Sequence, residues 1–130
     1  ATPVKAFVTI KQLFLAGKQS RYKALCTAAL QERLKENLPD KAPSEAERKQ
    51  HLDTRVEAVL IYHDRVAAVV NLMYEGFYGL WYFYRENGTW LSNGEGYGGE
   101  SVLHSEIIFR ENAREMEARW LNPPPATTGQ

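Results

Sequence analysis

Carboxylates in the middle of the chain are the residues best suited to do chemistry. Glu57, Asn71 and Glu95 fall near one row of the β-sheet that the sequence predicts. A carboxylate whose pKa is raised by apolar surroundings can remove a proton next to a carbonyl group. The same groups can instead bind a small molecule in a cavity, or form a hydrogen-bonded polar row inside the fold. The side chains expected around them are Tyr78, Tyr82, Tyr84 and Asn93.

The histidines and the cysteine carry weaker signals. The three histidines have no i, i+4 or His-x-His spacing, so no metal site is predicted. His104 alternates with apolar residues, so it is a candidate acid or base, with an ordinary surface histidine as the alternative. His63 is interpreted as a turn residue. Cys26 lies in an apolar stripe and is interpreted as a small buried hydrophobic side chain.

A glycine-rich segment, Gly94–Gly99, follows these candidates. Its spacing nearly spells the phosphate-binding pattern G-x-G-x-x-G, but no helix start is expected after it to receive a phosphate. The alternative is a loop that closes over a pocket, with Tyr97 at its tip as a ligand-binding residue. No cofactor is predicted.

Composition limits the classes of function. The chain has 130 residues, 44% of them hydrophobic, which suffices for one domain with a core that needs no disulfide. Its 16 basic and 16 acidic residues give a net charge of zero, which argues against nucleic-acid binding. No apolar run approaches the roughly 18 residues of a transmembrane helix, so no membrane insertion is expected.

The two ends of the chain support two further expectations. The sequence opens Ala-Thr-Pro without an initiator Met, which favours a processed, exported chain over a cytoplasmic one. Residues 122–130 contain three prolines and no large apolar residue, which predicts a disordered tail. The domain is therefore expected to span residues 1–121.

Helical periodicity dominates the first third of the chain. Apolar residues at i, i+3, i+4 and i+7 predict a helix from Val4 to Leu15, ended at Gly17. A second helix is expected to begin after Ser20 and run to about Leu34. Ser44 and Glu47 have capping-box spacing, which predicts a short third helix over 44–52.

From residue 54 the period changes to two, which predicts an antiparallel meander. The expected strands are 54–62, 66–74, 77–85 and 89–93. Asn87-Gly88 predicts a two-residue type I′ turn, Glu75-Gly76 a weaker two-residue turn, and residues 63–65 a three-residue turn. These turn lengths predict the pairs Ala58–Val70, Glu57–Asn71, Val70–Trp81, Asn71–Leu80, Trp81–Gly94 and Tyr82–Asn93.

In this register neither face of the sheet is polar enough for water. Trp81 and Phe83 lie on one face, and the tyrosines and candidate polar residues lie on the other. The N-terminal helices can cover only one face. The second cover is expected from the C-terminal segment, a partner subunit or a ligand. The C-terminal segment itself is ambiguous, and we interpret it as a fifth strand over 102–109 followed by a short helix over 111–121.

The order of elements resembles the nuclear-transport-factor-2-like superfamily, whose domains form a cystatin-like α+β cone around a pocket. The resemblance covers most of residues 4–109, and its local motif is the hairpin Tyr82-Phe-Tyr-Arg-Glu-Asn-Gly-Thr-Trp90. It implies an α+β fold with N-terminal helices on a curved antiparallel meander of four to six strands. The expected C-terminal helix differs from that pattern. Members of this superfamily include isomerase-like and cyclase-like enzymes as well as binding domains, so the resemblance leaves the function open.

Three functions follow from these residues. The first is a non-catalytic binding or protein-interaction domain that uses a tyrosine-lined face or pocket. Its partner would be a second copy of the chain, another protein, or a small apolar or carbonyl ligand. The second is a cofactor-free isomerase or cyclase with Glu57 or Glu95 as base. The third is a structural subunit of an exported assembly. The sequence favours the first, because no acid–base pair has a defined spacing.

Overall fold

A computed structural model describes residues 2–73 and 76–121. The predicted fold class is confirmed, since N-terminal helices are followed by a four-stranded antiparallel sheet and a C-terminal helix. The Pro-rich segment 122–130, for which a tail was predicted, lies outside the described residues. The elements are α1 (Pro3–Leu15), α2 (Ala28–Leu34), α3 (Glu45–Asp53), β1 (Arg55–Tyr62), β2 (Val66–Leu72), β3 (Tyr78–Glu86), β4 (Thr89–Tyr97) and α4 (Val102–Leu121).

The first helix forms where its periodicity predicts it. Thr2 caps its N-terminus by accepting a hydrogen bond from the Lys5 amide at 3.1 Å. Gly17, with φ of +71°, follows its end in the left-handed conformation that glycine adopts readily. Phe7 and Ile10 are buried against the sheet. Helix α3 also confirms its prediction, because Ser44 and Glu47 form the reciprocal capping box.

The predicted second helix is wrong in its first half. Residues 19–25 form two short 3₁₀ turns, and Cys26 is extended and bridges to Ser92 of β4 in parallel orientation. The Thr27 amide donates to the Ser92 carbonyl at 2.8 Å, and the Thr27 hydroxyl then caps α2. This bridge satisfies part of the β4 edge, which an uninterrupted helix would leave unpaired. Cys26 is buried, as interpreted from the sequence.

The four strands form one open sheet in the order β1-β2-β3-β4. Asn87 and Gly88 have φ of +50° and +79°, which is the type I′ turn predicted for them. The three-residue connection over 63–65 is also confirmed, because Tyr62 pairs with Val66. Strand β4 runs to Tyr97, so the loop predicted over residues 94–99 is wrong for residues 94–97, which pair with β3. Residues 98 and 99 lie outside the strand.

The predicted register is wrong at three places, and the first lies between β2 and β3. Leu72 pairs with Tyr78, which puts Val70 opposite Leu80 and Asn71 opposite Gly79. The predicted register depends on a two-residue turn at Glu75-Gly76, and Glu75 lies outside the described residues. Three residues separate Met73 from Phe77, whose carbonyl accepts from the Met73 amide at 2.7 Å. A slip of one residue moves every β3 side chain to the other face relative to β2.

Bulges cause the remaining differences in register. A shift between Tyr82 and Phe83 places Trp81 opposite Glu95, and Tyr82 opposite Gly94 rather than Asn93. In β1 the pair Ala58–Val70 is confirmed, but Val56 rather than Glu57 lies opposite Asn71, because Glu57 is the extra residue of a bulge.

The expected fifth strand over 102–109 is wrong, since residues 102–121 form the single helix α4. Ser105, Phe109 and Ala113 are buried at a spacing of four residues. The alternating pattern that suggested a strand included Leu103 and Ile107, which are both exposed on the outer face of the helix.

Helices of this chain pack on both sides of the sheet. Helices α1 and α2 pack on the side that contains Ala67, Val69, Trp81 and Phe83, and we call this the helix-pair face. Helix α4 packs on the side that contains Val66, Ala68, Val70, Leu80, Tyr82 and Tyr84, and we call this the α4 face. Of the three covers that the sequence allowed for the second face, the C-terminal segment is the one observed. None of the described helices combines the length and apolarity needed to cross a membrane.

Candidate functional site

Two of the predicted ligand-binding tyrosines belong to the core under α4. The Tyr82 ring stacks on Phe109, and its hydroxyl accepts from Asn112 Nδ2 at 2.8 Å. The Tyr84 ring stacks on Trp120 at 4.9 Å between centroids, and its hydroxyl donates to the Met116 carbonyl. Burial raises the pKa of both phenols. These hydroxyls hold α4 to the sheet and are not available to a ligand.

Glu57 and Asn93 lie at the two bulges, and both have partners within the chain. Glu57 is paired with Arg55 at 3.5 Å between Oε1 and Nη2, so it is not brought to the other candidate residues. The Asn93 amide oxygen accepts a hydrogen bond from the Thr27 hydroxyl at 2.7 Å. Asn93 therefore helps to attach α2 to β4.

Asn71 is fully buried on the helix-pair face, directly opposite Gly79. Its Nδ2 donates to the carbonyls of Val69 and Gly79, at 3.3 and 3.2 Å. Its Oδ1 has no hydrogen-bond partner among residues 2–73 and 76–121. A buried acceptor without a donor destabilises the fold. Among the described residues, Asn71 Oδ1 is the buried side-chain polar atom that lacks a hydrogen bond, so we treat it as a candidate ligand contact.

Glu95 lies next to this oxygen. A Cβ placed on Gly79 would lie 2.9 Å from Glu95 Oε2 and 3.2 Å from Asn71 Oδ1, so both oxygens flank the space that the missing side chain leaves. Glu95 is exposed at the surface of the sheet, and the protein removes only part of its carboxyl group from water. Burial raises the pKa of the Glu95 carboxyl, and the Lys11 ammonium and the Asn71 amide partly offset this effect.

A groove of about 390 Å³ opens at this position, and we call it the Glu95 groove. Glu95 and Gly79 form its polar part, and aromatic and thioether side chains form its apolar part. The exposed Tyr97 ring contacts Phe77 at 6.4 Å between centroids and marks the rim. The lining residues are Met73, Phe77, Tyr78, Gly79, Glu95, Gly96 and Tyr97. Three candidates from the sequence, Tyr78, Glu95 and Tyr97, are therefore brought together.

Lys11 supplies positive charge near Glu95, and His51 lies beside Lys11. Neither residue was predicted from the sequence as a functional residue. Lys11 Nζ lies 5.5 Å from the centre of the Trp81 ring and 3.4 Å from His51 Nδ1. Burial lowers the pKa of Lys11, while Glu95 opposes that shift. Burial, followed by the neighbouring Lys11, lowers the pKa of His51. The sequence indicated Lys11 only by its position, since it is a lysine within the apolar stripe of α1.

His104 is not on a strand, and its predicted position on the sheet is wrong. It lies in the first turn of α4, where its amide donates to the Ser101 hydroxyl at 3.0 Å. Its exposed ring meets the edge of Tyr97 at 6.4 Å between centroids. A Cβ on Gly99 would collide with the imidazole, so the glycine is required for this approach. His104 therefore lies behind Tyr97 at the rim of the groove.

Within the described ranges, no three His, Cys, Asp or Glu side chains form a group that could hold a metal ion. No family model, curated protein or solved structure matches this chain.

Proposed function

We propose that this domain binds a small molecule in the Glu95 groove, through a donor group that reaches Asn71 Oδ1 and Glu95. The single observation that carries the proposal is the buried, unpartnered Asn71 oxygen beside the Glu95 carboxyl. Both are acceptors when Glu95 is ionised, so the complementary ligand presents N–H or O–H groups.

The walls of the groove favour an apolar body behind that donor. Met73, Phe77 and Tyr97 offer thioether and aromatic surface, which suits a ring or a short hydrocarbon. Pockets of roughly 300–1,000 Å³ take ligands of this kind, and the groove, at about 390 Å³, lies near the small end of that range. An aryl-alkyl amine, with an ammonium for the two oxygens and a ring for the aromatic wall, has this chemistry.

A second candidate is proton removal next to a carbonyl, with Glu95 as base. The observation that favours it is the raised pKa of Glu95, because a general base works best when its pKa lies near the working pH. A small ketone would then lie in the same groove with its acidic C–H directed to Glu95. The tyrosines that were expected beside this base from the sequence, Tyr82 and Tyr84, lie on the other face of the sheet.

One NMR titration in D₂O tests both candidates. Benzylamine is the binding probe, and cyclohexanone is the probe for exchange of α-protons. For binding, we expect benzylamine to shift the resonances of the groove residues and to raise the melting temperature of the protein. For catalysis, we expect Glu95-dependent deuteration of the ketone.

The matched variants separate the groove from the rest of the fold. Glu95→Gln and Asn71→Leu should weaken benzylamine binding, because each removes one acceptor. Tyr84→Phe changes a hydroxyl on the opposite face and should leave binding unchanged. Shifts that are equal in all three variants would overturn the proposed site, and the absence of any shift with either probe would overturn the proposed function.

A further inference from the structure

The outer edge of β1 is open along its length. β1 is the first strand of the sheet, and no residue within 2–73 or 76–121 pairs with its outer side. The opposite edge, on β4, is partly closed by Cys26 and Thr27. An open edge exposes a row of main-chain donors and acceptors, and this row can pair with a further strand.

The usual protection against such pairing is missing from most of β1. Charged side chains, prolines and bulges protect exposed edges in natural proteins. Here the charges of Arg55 and Glu57, together with the bulge, occupy only the first residues. The five residues that follow, Ala58–Tyr62, carry no charge and no proline. This uncharged segment, which we call the β1 edge, is therefore suited to pairing.

Side chains on the helix-pair face of β1 are also left uncovered. Val59 is 37% exposed and Ile61 is 54% exposed, although both are β-branched and well suited to a paired strand. Helix α1 contacts β2 and β4, so its cover does not extend to this edge.

On the α4 face, a groove of about 530 Å³ separates the β1 edge from helix α4. Leu60 and Tyr62 form one wall of it. The other wall carries charges of both signs, from Glu106, Arg110, Glu111 and Arg114. Arg110 is already paired with Glu106 at 2.7 Å. A wall with balanced charge is complementary to neither an acidic nor a basic peptide, and the β1 edge itself carries no charge.

We propose that the occupant is a second copy of this chain, paired antiparallel through the β1 edge about a two-fold axis at Leu60. This register puts Val59 opposite the partner's Ile61, and the small Ala58 opposite the partner's large Tyr62. Paired β-branched residues stabilise antiparallel strands, and the small residue leaves room for the large one. The contact is isologous, and a net charge of zero adds no overall repulsion between copies.

Sedimentation equilibrium of the full chain over a range of concentrations tests this proposal. We expect a reversible dimer. Its dissociation constant should rise by roughly tenfold or more in the double variant V59K/I61K, because lysines then face each other across the axis. Both positions are exposed, so the urea unfolding midpoint should change little. The control is Leu103→Lys, a substitution of an exposed apolar residue of α4 that should leave the dimer intact.

Hydrogen exchange keeps the test decisive if the double variant does not fold. In the wild-type chain, amide protection within residues 58–62 should increase with protein concentration, while protection in α4 should not. A wild-type chain that stays monomeric at every concentration overturns the proposal. So does a dimer that survives V59K/I61K, whether or not it dissociates in Leu103→Lys.

Discussion

Replacing Asn71 with leucine should make the protein more stable, although Asn71 is fully buried and makes two hydrogen bonds. The reason is its unpartnered oxygen, because a buried acceptor without a donor costs about 1–3 kcal/mol. Leucine has nearly the shape of asparagine and adds apolar contact, which contributes about 1.5–3 kcal/mol when a side chain of this size is fully buried.

The loss of two hydrogen bonds offsets part of this gain. Each is worth about 0.5–1.5 kcal/mol, and their lengths of 3.2 and 3.3 Å place them among the weaker ones. The two carbonyls that lose the amide belong to residues of the paired strands β2 and β3. We therefore expect a net stabilisation of about 1–3 kcal/mol, seen in urea unfolding at neutral pH. The melting temperature should rise by about 3–5 °C for each kcal/mol.

Asn93→Leu is the matched control, because the Asn93 oxygen has a donor. Thr27 is almost completely buried, and its hydroxyl donates to Asn93 Oδ1 at 2.7 Å. Removing this acceptor should destabilise the protein by about 1–3 kcal/mol. A loss of stability in Asn71→Leu as large as that in Asn93→Leu would refute the reasoning, since it would mean that the Asn71 oxygen contributes a favourable bond.

Two further predictions concern the same face of the sheet. Glu95 has a pKa raised above its ordinary value of 4.5, so the folded state binds more protons than the unfolded state above that pH. Wild-type stability relative to Glu95→Gln should therefore fall as the pH rises from below 4.5 towards neutrality, as measured by urea unfolding at a series of pH values; parallel curves would contradict this. Ser92→Ala should destabilise the fold by about 2–4 kcal/mol, because the buried Ser92 hydroxyl is hydrogen-bonded to the Tyr22 hydroxyl at 2.8 Å and accepts from Trp81 Nε1 at 2.9 Å. A thermal unfolding curve unchanged from wild type would contradict this prediction.

The local signals in the sequence were reliable where a few neighbouring residues determine the backbone. The capping box at Ser44 and Glu47 and the turn at Asn87-Gly88 depend only on short-range chemistry, and both were predicted correctly. The extended Cys26 interrupts a helical pattern because it bridges to Ser92, which lies 66 residues away in the chain. No local periodicity contains that bridge.

The candidate site was predicted in part because two errors cancelled. The slip between β2 and β3 and the bulge between β3 and β4 each move side chains to the opposite face. Their combination leaves Asn71 and Glu95 on the same face, as predicted. For Tyr82 and Tyr84 only the slip between β2 and β3 applies, so these side chains lie on the face opposite to the predicted one, under α4. Bulge positions depend on tertiary packing, which a single sequence does not specify. The resemblance to the nuclear-transport-factor-2-like superfamily stays a prediction.

The position of α4 as the last described element has a consequence for how the protein matures during synthesis. Residues 102–121 leave the ribosome after strands β1 to β4 have emerged, yet they form the helix that packs against Val66, Leu80 and Tyr84. Until α4 has been synthesised, the apolar α4 face of the β-meander is exposed to solvent. Packing of the α4 face therefore waits for α4, and until then the exposed apolar side chains of this face favour aggregation.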